Sequence, residues 1–338
     1  MRKYDLCIGG YAGCSNIGDD AILEGYLKGL PTAKRRLRTI VLSGRPRWDS
    51  RRFGVRCVGR KNPFLVMACF LRSKVFVCGG GSLLQNATGN LSLFYYLTLL
   101  WLARICGCKT ELMSSGIGPV RGKFAEHLVI WTLRGCERIE VRDRESEHFL
   151  LTRGFDRQRV LLVQDPAMRL ELLPASWLFF ARKMLGLQKK PYFCVVVRQD
   201  CSPRGASLGK LSSALRLFLR ECDLTPVFVL FDKRHDVDVT EVVCRSVGGI
   251  TFYPHEAREA LSILSGACFV ISMRLHALVF ASMAGVEALA ISPFEEERKL
   301  ASFCRAHGMA HLSPAKLTVA ALLDQLDELS KGSCNLKD

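Results

Sequence analysis

Short apolar runs alternate along this chain with longer segments in which apolar residues recur at helical spacing, a rhythm that predicts strand, loop and helix in turn. Residues 4–9 are apolar, a glycine-rich turn follows, and a helical pattern covers 19–30. Strands are predicted at 39–42 and 74–78, the second ending on Gly79-Gly80-Gly81. A helix at 91–105, a strand at 110–114, the turn Gly116-Ile-Gly-Pro119, a helix at 124–134 and a strand at 139–142 complete a first series. Residues 170–190 lack strand character and are read as a junction between an N-terminal domain, 1–180, and a C-terminal domain, 190–330. A second series opens with strands at 192–197 and 225–231, separated by a helix at 206–220. Helices at 237–247, 256–265 and 275–284 alternate with strands at 251–253, 269–272 and 288–292. A last helix is expected from Ser313-Pro314, with proline at its first position. Strands that alternate with helices form parallel sheets covered on both faces, so the fold class is α/β with two doubly wound halves.

Composition changes this picture little, except in its cysteines and its charge. With 338 residues, 49% of them hydrophobic and 24% charged, the chain can bury a core in each half, and disorder is expected only from Lys331 to Asp338. None of the fifteen cysteines falls in a Cys-x-x-Cys pair, and Cys106 and Cys108 are the closest two. Cys7, Cys78, Cys194 and Cys268 sit in apolar runs, where cysteine behaves as a small hydrophobe. Met1-Arg-Lys leads straight into a strand without a secretory pattern, so the reading is a reduced cytoplasmic protein with structural thiols, no metal site and no cofactor. The longest apolar stretch, 91–103, falls short of the ~20 residues that span a bilayer and reads as a buried helix.

The net charge of +16 is concentrated: residues 34–61 hold eleven Lys or Arg against a single acid, Asp49. Four readings stay open for that stretch: a solvated loop, contact with an anionic membrane surface, contact with an anionic lipid-linked substrate, or nucleic acid. Trp48 and Phe53 among the arginines suit the membrane and nucleic-acid readings alike. No nucleic-acid-binding module is recognisable, and the basic residues lie away from the motif loops, so nucleic acid is not expected as a partner.

Ligands of open α/β sheets gather beyond the carboxyl ends of strands, where helix N-termini offer unpaired N–H groups. Four junctions qualify. Gly9-Gly10-Tyr-Ala-Gly-Cys-Ser-Asn16-Ile-Gly-Asp19-Asp20 combines tight-turn glycines with polar side chains, and departs from both the dinucleotide and the Walker spacings. Asp19 or Asp20 can cap the following helix instead of serving a ligand. Gly79-Gly80-Gly81-Ser82, followed by Gln85, makes a floor that a ligand can approach closely. Ser115-Gly-Ile-Gly-Pro119 is a third small-residue strand end, and Ser272-Met-Arg274-Leu-His276 is the most specific. There an arginine fork that matches carboxylate or phosphate stands two residues from a histidine that can move a proton near neutral pH.

Taken in order, these junctions resemble the polysaccharide pyruvyl transferase family. The matching segments are Asn16-Ile-Gly-Asp-Asp-Ala-Ile-Leu23, Gly79-Gly-Gly-Ser-Leu-Leu-Gln85, Ser115-Gly-Ile-Gly-Pro119, Val141-Arg-Asp143 and Ser272-Met-Arg-Leu-His-Ala277. The resemblance implies two Rossmann-like domains, GT-B-like, with the active site in the interdomain cleft. The first domain would take the acceptor and the second the donor. It further implies transfer of pyruvate from phosphoenolpyruvate, the co-substrate, to a sugar of a cell-surface glycan precursor that is lipid-linked or polymer-bound. The products would be a cyclic ketal and phosphate. By the same resemblance Arg274, Arg142 and Lys299 bind the donor's anionic groups, His276 is the general acid and Asp19 assists the attacking hydroxyl; Arg198 joins the donor ligands by its position at a strand end. Asn16, Gly80, Gly81, Ser82 and Gln85 complete the expected substrate-binding set. Lys299 is matched by counting back from Phe303, across a segment, Pro293-Phe-Glu-Glu-Glu-Arg-Lys299, that is longer and more acidic than the family's. The alternative reading is a nucleotide-sugar-dependent glycosyltransferase on a similar scaffold. A lipid-linked acceptor would place the protein in the cytoplasm at the inner face of the cell membrane.

Overall fold

Runs such as Cys7-Ile-Gly and Ile40-Val-Leu are apolar without alternation, as strands buried on both faces require, and both lie on interior strands of one parallel sheet. The computed structural model describes residues 2–30, 38–86, 89–188, 190–199, 206–293 and 298–334. The chain divides into two compact units, Met1–Arg169 and Leu170–Asp338.

The first unit begins β1 (Tyr4–Gly9), α1 (Ile17–Gly29), β2 (Thr39–Ser43), α2 (Pro46–Phe53), β3 (Arg56–Gly59), α3 (Pro63–Leu71) and β4 (Ser73–Leu84). It continues α4 (Asn90–Ile105), β5 (Lys109–Ile117), α5 (Lys123–Arg134), β6 (Arg138–Val141), α6 (Arg144–Leu151) and β7 (Val160–Leu162). A 3-10 turn, Pro166–Arg169, packs on α1 so closely that a Cβ at Gly25 would lie 1.8 Å from the Pro166 carbonyl oxygen. The seven strands are parallel in the order β3-β2-β1-β4-β5-β6-β7. Leu97 and Leu100 of α4, Val129 and Leu133 of α5, and the edge-to-face pair Phe70 and Phe76 join one core.

Several boundaries depart from the sequence reading. Helix α1 starts at Ile17 because the Asn16 Oδ1 accepts the N–H groups of Gly18 and Asp19 at 2.9 and 3.3 Å, which puts both aspartates in the first turn. Strand β4 continues past Cys78 to Leu84. Glycine permits this, since a Cβ at Gly79 would lie 2.2 Å from the Met113 carbonyl oxygen, and pairing resumes at Gly81↔Ser115. The arginine-rich stretch is structured where it is described, forming α2 and β3; Lys34, Arg35 and Arg36 lie outside the described residues.

The second unit opens with α7 (Ala175–Met184), inside the segment read as a junction. The chain leading into it is fastened to α10 (Ala257–Ser265), because Leu173 N–H donates to Ser262 Oγ at 2.8 Å and Arg258 Nε to the Glu171 carbonyl at 3.0 Å. Strands β8 (Tyr192–Val196), β9 (Thr225–Val229), β10 (Ile250–Phe252), β11 (Val270–Ser272), β12 (Ala288–Ile291) and β13 (Ala310–Leu312) are parallel in the order β10-β9-β8-β11-β12-β13. The remaining helices are α8 (Ala206–Phe218), α9 (Val237–Val247), α11 (Leu275–Ala284), α12 (Arg298–His307) and α13 (Val319–Cys334). Phe193 and Phe269 stack at 4.8 Å in the core.

Helix α13 begins later than Ser313-Pro314 suggested. That pair closes its own turn, with Lys316 N–H on the Ser313 carbonyl, and Thr318 Oγ1 accepts Ala321 N–H at 3.1 Å instead. The same helix continues through Lys331 to Cys334, four residues into the tail expected to be disordered. The described cysteines are free thiols, and burial raises the pKa of Cys7, Cys78 and Cys194 above that of an exposed thiol.

Candidate functional site

Each sheet places its first strand beside its fourth, and successive connections leave those two strands in opposite directions, which opens a crevice beyond their carboxyl ends. In the first unit that point lies between β1 and β4, where the glycine motifs fall. A Cβ at Gly10 would lie 2.3 Å from the Gly79 carbonyl oxygen, so the two strand ends meet backbone against backbone. Gly80 and Gly81 have φ of +88° and +82°, a region open to glycine, and they turn β4 beneath the start of α1. The Asp19 carboxylate rests on Gly81, with its Oδ1 2.5 Å from where a Cβ would be. Asp19, Gly80 and Gly81 are thus brought together, and a small recess beside them is lined by Gly10, Tyr11, Met113 and Asp19 itself.

Asp19 and Asp20 part company. Asp20 is buried: its Oδ1 accepts Gly13 N–H at 3.2 Å, and its Oδ2 accepts Arg52 Nη1 at 2.9 Å and Arg45 Nη2 at 3.4 Å. Two arginines of the basic stretch therefore serve to fix the β1–α1 loop. A third, Arg60, also holds that loop, donating Nη1 to the Gly10 carbonyl at 2.8 Å and Nη2 to Tyr96 Oη at 3.1 Å. The rings of Tyr11, Tyr95 and Tyr96 surround its guanidinium at 5.6, 5.0 and 5.7 Å. Asn16 spends its Oδ1 on the helix cap described above.

Farther along β4, Ser82 Oγ accepts Arg142 Nη2 at 3.2 Å, and Arg142 Nη1 reaches Asp165 Oδ2 at 2.7 Å. Both partners of that ion pair are almost fully buried, so Arg142 ties the ends of β4 and β6 to the chain before the 3-10 turn. Its neighbour Asp143 caps α6 by accepting Ser146 N–H at 2.7 Å. Gln85 is half-buried just beyond β4.

In the second unit the corresponding point lies between β8 and β11. Ser272 Oγ accepts Arg274 N–H at 2.9 Å and donates to the Arg274 carbonyl at 2.8 Å, a tight turn that delivers the chain into α11. Arg274 is the N-cap residue, and His276, half-buried, stands in the first helical turn. The Arg274 fork closes on two protein carboxylates: Nε and Nη2 lie 2.8 and 2.5 Å from Asp236 Oδ2, and Nη2 lies 3.3 Å from Asp232 Oδ2. Asp236 also accepts Gln199 N–H at 3.1 Å, which draws in the loop that carries Arg198. Burial pushes the Asp232 carboxyl up, but the charge of Arg274 and hydrogen bonds from His235 and the Arg234 N–H outweigh it and hold the group below its ordinary value. Asp236, wholly buried, is pushed up by that burial despite Arg274. Lys299 is the second residue of α12, half-buried; Phe294 and the three glutamates before Arg298 lie outside the described residues.

Sequence reasoning missed Arg60, Asp165, Asp232 and Asp236. Asp232 follows the apolar run of β9 directly and Asp236 stands at the start of the next helix, and acids beyond the end of the strand next to β8 were a readable signal. Arg60 was indistinguishable from its basic neighbours.

The family model described as polysaccharide pyruvyl transferase matches residues 16–293, a span that includes Asp19 and Gly79–Gly81 of the first crevice and the Arg274–His276 turn of the second. A search of curated proteins finds no match. Among solved structures, the UDP-GlcNAc 2-epimerase of Neisseria meningitidis bound to UDP-GlcNAc aligns with a TM-score of 0.67 at 11% identity, covering 96% of this chain and 91% of that one. A glycosyltransferase from Rickettsia africae aligns with a TM-score of 0.60 at 12% identity, covering 97% and 88%. At these identities the likeness is one of fold, two Rossmann-like domains of the GT-B type.

Proposed function

The chain belongs to the polysaccharide pyruvyl transferase family, and from that premise we propose that it transfers pyruvate from phosphoenolpyruvate to a sugar of a cell-surface glycan precursor. The observation that carries the reading is the extent of the family match, which takes in Asp19 and the Gly79–Gly81 floor of the first unit and the Arg274–His276 turn of the second. Phosphoenolpyruvate presents a carboxylate and a phosphate, and Arg274, Arg198, Arg142 and Lys299 are the cations assigned to them.

The chemistry needs one proton delivered and one removed. His276 protonates the donor methylene, which becomes a methyl group and leaves the central carbon electrophilic. A sugar hydroxyl assisted by Asp19 adds to that carbon, the phosphate leaves with the electron pair of its ester bond, and a second hydroxyl closes the ring. The product is a cyclic ketal, and the two hydroxyl protons balance the new methyl C–H and the released phosphate. Gly80 and Gly81 admit the acceptor close to the backbone, with Ser82, Gln85 and Asn16 at its margin. Asp232 and Asp236 enter as positioning residues that hold Arg274 in its orientation.

The test is incubation of the protein with phosphoenolpyruvate and a panel of aryl-tagged and lipid-linked sugars, following phosphate release and product mass. Phosphate release with an acidic ketal adduct is expected, lost in His276→Gln and accompanied by a raised donor KM in Arg274→Lys. The second reading, a nucleotide-sugar glycosyltransferase, draws on the fold shared with the Rickettsia enzyme. Turnover of sugar nucleotides without binding of phosphoenolpyruvate would establish it instead.

A further inference from the structure

Helix α3 has the sequence Pro-Phe-Leu-Val-Met-Ala-Cys-Phe-Leu, nine residues without a charged or strongly polar group. Val66, Cys69 and Phe70 account for its inward face and are buried in the core of the first unit. The outward face is just as apolar and is uncovered: Phe64 is 82% exposed, Leu71 58%, Leu65 46% and Met67 44%. Phe64, Met67 and Leu71 recur at i, i+3 and i+7, so they form one continuous stripe. A solvated surface helix would carry polar groups there.

Cations frame the stripe. Lys61 precedes the helix, Arg72 is its C-cap residue, and Arg56 begins the neighbouring strand β3; all three are exposed. Burial raises the Cys69 thiol, and the charges of Arg56 and Arg72 oppose that rise, so both cations stand by the C-terminal end of the helix. No acid occurs between Asp49 and Glu111, and Asp49 is itself buried.

We propose that the outward face of α3 docks on an anionic lipid bilayer, the apolar stripe entering the headgroup boundary and Arg56, Lys61 and Arg72 meeting lipid phosphates. Charge decides the occupant: a second copy of the chain would bring the same three cations against each other, and Asp5, the acid on β1 beside Arg72, is already paired with Arg38 and Lys74 at 3.0 Å each, whereas an anionic bilayer answers all three. The helix is about 14 Å long, fit to lie in the surface and far short of the ~30 Å apolar layer. No helix among the described residues is long and apolar enough to cross a membrane. The docking face is joined to the candidate site through the chain, since Arg60, which grips the Gly10 carbonyl, stands four residues before Phe64. The surface therefore suits an enzyme whose acceptor is carried on lipid, although it is read independently of the donor.

The experiment is co-sedimentation of the full chain, without substrate, with phosphatidylcholine vesicles that contain or lack phosphatidylglycerol, at low and at physiological salt. Binding is expected only with phosphatidylglycerol, weakening as salt rises. Removal of one framing cation, as in Lys61→Gln or Arg72→Gln, lowers the partition coefficient about fivefold. Phe64→Ser lowers it about tenfold or more, and leaves the circular dichroism unchanged because the side chain is exposed. Absence of binding to anionic vesicles at low salt overturns the proposal, as does undiminished binding by Phe64→Ser. A concentration-dependent dimer dispersed by Phe64→Ser overturns it in favour of a second copy.

Discussion

Gly81→Ala tests the geometry of the first crevice without any assumption about substrate. The backbone there has φ of +82°, and a Cβ would meet the Asp19 carboxylate oxygen at 2.5 Å. A left-handed backbone costs an alanine about 1–2 kcal/mol. Turning the Asp19 side chain off its rotamer to escape the methyl adds roughly 0.5–1.5 kcal/mol. Gly54→Ala is the control: its φ is +64°, and nothing lies within 4 Å of the new Cβ, so it bears the backbone cost alone. Urea titrations with a common m-value should place Gly81→Ala about 1 kcal/mol below Gly54→Ala. Combining Gly81→Ala with Asp19→Ala removes the clash, so the double variant should be more stable than the sum of the single losses by a similar ~1 kcal/mol. Equal losses for the two glycines, together with strict additivity for Asp19 and Gly81, would refute the contact and with it the picture of Asp19 seated on the glycine floor. Turnover in the phosphate-release assay should fall in Gly81→Ala and be untouched in Gly54→Ala.

Three further outcomes follow from the same reasoning. Asp236→Asn keeps a partner for Gln199 N–H but leaves Arg274 with Asp232 alone; a loss of about 2 kcal/mol is expected, less than the ~3–5 of a fully broken buried pair, and a urea-midpoint shift below about 0.5 kcal/mol would contradict the clamp. Arg60→Lys keeps charge but cannot reach both the Gly10 carbonyl and Tyr96 Oη, so hydrogen exchange at Gly10 to Gly13 should quicken; unchanged protection would show that the tyrosine cage does not hold the loop. His311, on β13 with its Nε2 2.8 Å from Ser292 Oγ, is held below the ordinary 6.5 by burial and by Arg305 and Lys316. Its neutral form is the folded one, so the stability it contributes is complete above pH 6.5 and is lost as pH falls through the lowered folded value. Urea midpoints of the second unit should drop over that window, and a His311→Gln variant should drop less.

The sheet interiors were legible because their strands are apolar without alternation, and β1, β8 and β11 fall where the runs predict, whereas β5 runs on from the predicted 110–114 through Ile117, into the segment read as a turn. Helix α3 was hidden for the opposite reason: apolar on every side, it has no period to read. In α2 the arginines suggested solvent, yet Asp49 is buried and Arg52 turns inward to Asp20 and Glu24. The glycine floor could be read because glycine at a strand end has few other uses. The grips on it could not, since Arg60 lies fifty residues from Gly10, and Asp236 lies thirty-eight from Arg274. Side-chain pairs at such separations leave no local periodic trace, and only the assembled sheet order brings them together.

The buried thiols give the molecule a set of internal clocks. Cys7, Cys78 and Cys136 lie within the first unit, and Cys194, Cys244 and Cys304 within the second, each inaccessible to an alkylating reagent until its surroundings open. Under native conditions the order in which these six sulfurs are capped, read by peptide mass, ranks the opening free energies of the two units and of regions inside each. The wild-type sequence thus records its own breathing without added labels, and a ligand that steadied one crevice would register as slower capping on that side alone.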